Sequence, residues 1–240
     1  MSESLGVSLT WLGHSAFHLQ AEGGPSILID PWLGNPKAPA NARELAATAQ
    51  LICVTHGHED HIGETVALAR DTGATVLTGV EVAMELVAGG APEGQVVGFN
   101  IGGAATAHGV TATLVQAFHS SSLAGPDGRP RELGTPCGFV LELPNGPVIY
   151  NTGDTGVFGD MALIAELYRP SILMIPIGDF YTMGPRQAAK ACDLVQPQWI
   201  VPQHYGTFPG LPGTPGAFKS FLPPALRERV LTPAPGVTIR

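Results

Sequence analysis

The chain has 240 residues, 44% of them hydrophobic, which suits one compact domain or two small halves sharing a core and excludes a disordered chain. A net charge of −8, with only 12 Lys and Arg and no basic run, argues against tight nonspecific binding to DNA or RNA. No segment approaches the roughly 18 uninterrupted apolar residues of a membrane helix, and MSESLGVSLTW has no positive n-region before an apolar run, so neither a membrane partner nor a signal peptide is expected.

SLTWLG and SAFHLQ, broken at Gly13 and His14, and PSILIDP after the turn at Glu22 to Gly24, predict an antiparallel meander. The prolines of NPKAPANA, residues 35–42, predict a surface loop. LICVT, residues 51–55, is a continuous apolar and β-branched run, the pattern of a fully buried strand, and it stops at His56. Ile62, Val66 and Ala69 share one face of IGETVALARDTG, which ends at Gly73 and reads as one short amphipathic helix. ATVLTG follows as a strand and VEVAMELVAGG as a helix closed by Gly89 and Gly90, an order that calls for a sheet covered by helices.

Strands resume at QVVGFN, GVTATLVQAF, CGFVLEL and PVIYN. SSSLAGPDGRPRELGTP, without periodicity and rich in turn formers, reads as an irregular loop at the mouth of a site. The last third alternates: FGDMALIAELY as helix, SILMIPI as strand, GPRQAAKACDLV as helix and QWIVPQ as strand. The proline-rich tail from Phe221 to Arg240 either packs back across the domain or mediates assembly, and its closing VTIR predicts a short edge strand. Two halves, each strand-rich and then alternating, predict an α+β fold of two mixed sheets packed face to face with helices outside. Cys53, Cys137 and Cys192 form neither a zinc-ribbon pattern nor a disulfide framework, and read as reduced, buried thiols of a cytoplasmic protein.

The strongest feature is THGHEDH, which places His56, His58, Asp60 and His61 directly after a buried strand. Imidazole and carboxylate hold Zn²⁺ and also serve Fe or Mn. With eight His and eight Asp, an H-x-H-x-D-H pattern arises by chance in roughly one chain in three thousand of this composition. Four residues cannot complete two ions, and three more ligand types end strands: His119 in AFHSS, Asp154 in the glycine-lined turn of NTGDTG, and His204 in PQHYGTFP. Each taken singly also suits a capping or loop role.

WLGHSAF, LIDPWLGNP, THGHEDHIG, AFHSS, NTGDTGVF, PIGDFYTMGP and VPQHYGTFP, in this order from Trp11 to Pro209, resemble the metallo-β-lactamase superfamily. Within it they resemble the small UlaG-like or UPF0173-type metal-dependent hydrolases. The resemblance implies the four-layer αββα sandwich as a single domain over residues 1–240. It also implies two divalent ions, Zn²⁺ first with Mn²⁺ or Fe²⁺ as alternatives. One ion would be held by His56, His58 and His119 and the other by Asp60, His61 and His204, with Asp154 bridging.

Two such ions lower the pKa of a bridging water, whose hydroxide would attack a carbonyl or phosphoryl centre, with Asp60 accepting a hydrogen bond from it. His14 either reaches substrate as a contact or proton donor, or braces its own turn. Asp179 either orients a metal-bound histidine or caps the helix after Gly184. Trp32, Phe180, Tyr181, Tyr205 and Phe208 flank the motifs as pocket lining or as core. His18 faces the early sheet, His108 sits in a surface turn, and Ser120 to Ser122 read most economically as solvated loop.

The resemblance to UlaG-like proteins implies a small-molecule substrate, a lactone or a phosphodiester, and small anions stay open because bound ions attract them whatever the net charge. Arg129, Arg131 and Arg186 are the only basic candidates by segment. A non-catalytic metal-binding or interaction protein, and an RNA-directed phosphodiesterase without the usual RNA-gripping arm, are the alternatives. A homo-oligomer stays open.

Overall fold

The computed structural model describes residues 4–144 and 146–240, so the first three residues of the opening segment lie outside it. The first half carries β1 (Val7–Trp11), β2 (Phe17–Ala21), β3 (Ser26–Ile29), β4 (Leu51–Val54), β5 (Thr75–Gly79) and β6 (Val96–Phe99). The second carries β7 (Ala104–Ala107), β8 (Val110–Gln116), β9 (Ser122–Ala124), β10 (Pro130–Glu132), β11 (Cys137–Glu142), β12 (Val148–Asn151), β13 (Ile172–Pro176), β14 (Trp199–Gln203) and β15 (Thr238–Ile239). The helices are α1 (Ala42–Ala46), α2 (Glu59–Ile62), α3 (Thr65–Thr72), α4 (Val80–Ala88), α5 (Met161–Tyr168), α6 (Pro185–Val195), α7 (Pro215–Phe221) and α8 (Pro224–Arg227).

One sheet runs in the order β15-β1-β2-β3-β4-β5-β6 and the other β14-β13-β12-β11-β8-β7. Each is mixed: the β1-β2-β3 meander is antiparallel and β3 to β6 are parallel. In the second sheet β7, β8, β11 and β12 are antiparallel, while β12, β13 and β14 are parallel.

Side chains alternate along each strand, and this alternation divides the core into three layers. Ile27, Ile29, Leu51 and Cys53 point between the sheets, where they meet Phe139, Leu141, Ile172 and Met174. Leu28, Ile52, Val54 and Val76 point the other way, onto Ala42, Ala69, Val82 and Leu86 of the helices. Leu173, Ile175 and Ile200 do the same on the outer face of the second sheet, against α5, α6 and α7. The result is an α+β sandwich of two mixed sheets between outer helices. The stripe Ala188, Ala191, Cys192 and Val195 shows how α6 joins it: these positions recur at helical spacing and are all buried.

Two local expectations need correction, and several short elements lack any sequence signal. The helix expected from Ile62 is two short ones, because Gly63 turns the backbone at φ 46 and a Cβ there would stand 2.5 Å from Trp32 Cα. The segment after His119 is not irregular: β9 and β10 pair with Ser122 opposite Glu132. Strands of three residues are too short to show a period. Unread in the sequence are α7, just ahead of the tail, and α8 within it; their prolines occupy the first turn, where a missing N–H breaks no helical bond. The alanine-rich β7 and the five-residue α1 also carry too weak a pattern to read. The tail's last residues pair as expected, Thr238 and Ile239 adding an edge strand to β1.

Candidate metal centre

Strand ends build the site. His56 follows β4, Asp154 follows β12, His204 follows β14, His119 lies just beyond β8 and His14 sits in the turn after β1. The first three leave the C-terminal ends of parallel strands, where open crevices form in mixed α/β sheets. Gly153 makes the Asp154 turn possible, with φ 61 and no room for a Cβ, which would stand 2.5 Å from the Cys137 carbonyl oxygen. Positive φ at His14, Asp30, Asp179, Phe180 and His204 concentrates backbone strain in the same region.

The centre is Asp154. Its Oδ2 lies 2.9 Å from His204 Nε2, 3.2 Å from His61 Nε2 and 3.7 Å from His119 Nε2. His56 Nε2 and His58 Nδ1 lie 2.9 Å apart. Donor atoms of His56, His58 and His119 lie within 4.8 Å of one another, as do those of His56, His61 and Asp154, and those of His14, Asp60, His61 and His204. All seven residues expected to ligate are therefore brought together, with His14 beside them.

Electrostatics fit cations in this cluster. Burial drives the His56 pKa well below its ordinary value, with His61 adding to the effect, and burial lowers His119 to about 4, so both imidazoles present neutral nitrogens. Burial opposes charge on His61, yet Asp154 and Asp30 on either side hold its pKa well above the ordinary value. A pair of buried carboxylates that retains a proton in this way also suits a divalent ion. Asp154 Oδ1 is buried without a hydrogen-bond partner among the described residues, as a ligand atom would be. The donor set of imidazoles and carboxylates fits Zn²⁺, Mn²⁺ or Fe²⁺.

Around these donors stands a bracing layer. Asp30, fully buried at the end of β3, accepts from the Thr55 N–H, the Thr55 hydroxyl and His61 Nδ1, each at 2.8 Å. Asp30 lies outside the site residues expected from sequence, although it carries a signal: SILI followed by Asp repeats the strand-then-ligand pattern of LICVT-His56. Asp179 does not perform this orienting duty. It is exposed, its Oδ1 accepts from the Phe180 N–H at 2.9 Å, and a Cβ on Gly184 would meet its carboxyl carbon at 2.8 Å.

His14 is fully buried, with Nε2 3.0 Å from Asp60 Oδ2 and Nδ1 2.9 Å from the Thr207 hydroxyl. Burial lowers its pKa to about 4, so the ring is neutral near pH 7. Asp60 can only accept, so Nε2 carries the proton and Nδ1 accepts from Thr207. Burial works against charge on Asp60, but the His14 hydrogen bond and His61 overcome it and hold its pKa below the ordinary carboxylate range.

Ser121 is not solvated loop: it is buried, accepts the Gly57 N–H at 3.0 Å and donates to the Leu133 carbonyl at 3.0 Å. Ser120 Oγ stands 3.3 Å from His58 Nε2. His18 bonds Ser26 and Thr48, and His108 is an exposed turn residue near Thr75. The three cysteines are free and buried, and burial raises their pKa values, to about 12 for Cys192, so they are inert thiols rather than ligands.

A cavity of about 640 Å³ opens over the cluster, lined by His58, Asp60, His119, Tyr181, Phe208 and Ser120 among others. Phe208 is backed by Trp32, ring centres 5.8 Å apart, and Phe180 meets Tyr181 edge to face at 4.7 Å. Tyr205 instead stacks on Trp11 at 5.1 Å, beneath Lys37. Arg131 is paired with Glu85, exposed Arg129 lies near Asp127, and Arg186 is exposed on α6. No helix among the described residues is long and apolar enough to cross a membrane.

Residues 8–204 match the β-lactamase superfamily domain. A UPF0173 metal-dependent hydrolase of Myxococcus xanthus (strain DK1622) is 47% identical over 233 residues, which cover 96% of this chain and 82% of that protein. One from Chloroflexus aurantiacus (strain ATCC 29366 / DSM 635 / J-10-fl) is 49% identical over 216 residues, with 88% and 87% covered. Among solved structures, Igni18, a metallo hydrolase from the hyperthermophilic archaeon Ignicoccus hospitalis KIN4/I, aligns over 97% of both chains with TM-score 0.84 and 37% identity.

Proposed function

This chain belongs to the β-lactamase superfamily and to its UPF0173 metal-dependent hydrolases, and on that premise we propose that it uses two divalent ions, Zn²⁺ before Mn²⁺ or Fe²⁺, to hydrolyse an ester-type bond of a small molecule, a lactone or a phosphodiester. The observation that carries the reading is Asp154: a buried carboxylate reached by three imidazoles, with one oxygen left unpartnered. One ion would be held by His56, His58 and His119, and the other by Asp60, His61 and His204, with Asp154 between them. Bound there, the ions supply an activated water and stabilise charge on the attacked and leaving oxygens.

The protein's own groups divide the remaining work. Asp60, held ionised by His14 and partly open to the cavity, accepts a hydrogen bond from the incoming water and fixes its lone pair towards substrate. His14 has both nitrogens engaged and no exposed surface, so it is a positioning residue for Asp60 and not the proton donor to substrate. Asp30 and Thr55 fix the ring of His61. An RNA substrate is disfavoured by the net charge of −8 and by a cavity whose described lining holds no Lys or Arg.

The test is bound metal per chain, by elemental mass spectrometry, on protein purified without chelator. Close to two equivalents are expected, falling in His119→Ala and Asp154→Ala. Less than about 0.2 equivalents, still absent after Zn²⁺, Mn²⁺ or Fe²⁺ is offered, would move the protein to a structural or binding role.

A further inference from the structure

We infer that the substrate is uncharged and that its non-reacting part is a flat aromatic group, held at the cavity mouth between Phe208 and the Phe180–Tyr181 pair. The inference rests on the hydrolase reading and narrows it towards an aryl ester or aromatic lactone. Three independent features carry it.

The first is aromatic surface that the fold keeps out of its core. Phe180 is 76% exposed, Tyr181 59% and Phe208 37%, and Tyr181 and Phe208 both line the cavity. Burial normally stabilises such rings, so three of them turned to solvent beside a catalytic cleft mark a binding surface.

The second is the backbone that presents them. Asp179 and Phe180 both have positive φ, at 67° and 60°, which is costly for side chains of this kind. Hydrogen bonds hold the strained loop in place: Tyr181 N–H to the Asp179 carbonyl at 2.7 Å, Phe180 N–H to Asp179 Oδ1 at 2.9 Å, and Met183 N–H to the Thr155 carbonyl at 3.0 Å. Thr155 adjoins Asp154, so the aromatic pair is tied to the centre of the cluster. Phe208 is equally fixed, packed on Trp32 and edge-on to His14 at 5.5 Å. A second cavity of about 340 Å³, lined by Trp32, Glu59, Asp60 and Phe208, extends the aromatic wall beyond Asp60.

The third is charge. A phosphate or carboxylate on the non-reacting part of a substrate would need a cationic fork, and no Lys or Arg lines either cavity among the described residues. Glu59 faces that part instead. In the reaction inferred, one water adds its oxygen to the lactone carbonyl carbon, the ring C–O bond breaks, and the phenolic oxygen takes a proton to leave a hydroxyl and a carboxylic acid.

Three probes separate ring from charge: dihydrocoumarin, a neutral aromatic lactone; γ-butyrolactone, neutral without an aromatic ring; and bis(4-nitrophenyl) phosphate, aromatic but anionic. With metal-loaded wild type, kcat/KM for dihydrocoumarin is expected to exceed that for either other probe by about tenfold or more. Tyr181→Ala and Phe180→Ala alter exposed side chains and retain metal. They are expected to raise KM for dihydrocoumarin about tenfold more than they raise KM for γ-butyrolactone. Calorimetric binding of coumarin to the same proteins is expected to weaken in parallel. Faster turnover of the phosphodiester, equal turnover of the two lactones, or equal losses on both lactones in the variants would overturn this inference and leave the hydrolase reading standing. No turnover of any probe by protein with both ions bound would sink the hydrolase reading, and coumarin binding with its loss in the variants would then still decide the aromatic wall.

Discussion

At the scale of single residues, the clustered histidines and carboxylates are aimed by the neighbours they hydrogen-bond. Asp30 accepts three hydrogen bonds with no exposed surface, so its carboxylate fixes which nitrogen of His61 faces Asp154. Asn at this position would offer a single acceptor oxygen and turn an NH₂ towards a donor. Asp30→Asn is therefore expected to weaken metal binding about 10- to 100-fold, measured by competition with a chromogenic chelator, and unchanged affinity would show that His61 is oriented by packing alone. His14 works through Asp60 in the same manner, and its carbonyl also accepts the His204 N–H at 3.1 Å and the Trp11 indole N–H at 2.9 Å. The first four residues of the cluster were legible in sequence because H-x-H-x-D-H is dense and improbable. The braces were less so: Asp30 carries only the strand-then-acid signal of SILI-Asp, Thr207 carries none, and both are distant in sequence from the side chains they hold.

At the scale of elements, buried strands of near-continuous apolar sequence were readable, and so were helices ending in glycine. Elements too short to show a period were not, as with β9, β10 and α1, nor were α7 and α8 behind their prolines. The edge strand β15 shows a short element with an outsized duty. Two residues, Thr238 and Ile239, cover the free edge of β1, and Thr238 shares a 2.8 Å hydroxyl contact with Thr10. Ending the chain after Gly236 should cost about 1–3 kcal/mol from lost pairing, seen as a melting temperature lower by about 2–4 °C per kcal/mol. It should also promote association through the bared edge. A truncated protein that melts and sediments like the full chain would remove this role from β15.

At the scale of the whole molecule, the site lies where the two sheets end on the same side. Donors from the first half (His56, His58, Asp60 and His61) meet donors from the second (His119, Asp154 and His204). Ions held across that seam would cross-link the halves, and metal bound only by the folded state would stabilise it. At free metal a thousandfold above Kd the linkage is about 4 kcal/mol. Urea unfolding with Zn²⁺ and with chelator should therefore show well-separated midpoints, and coincident midpoints would argue against ions bridging the halves. By itself, the sequence determined the residue types of the centre, the strands that carry them and the two-sheet architecture, because ligand chemistry and hydrophobic alternation are local properties of a chain. Only the tertiary structure decided that His14 braces Asp60, that Asp30 and not Asp179 orients a histidine, and that the cavity mouth is aromatic, without cations among the described residues. Those properties depend on which side chains meet across long sequence separations, and a pattern within one segment does not contain them.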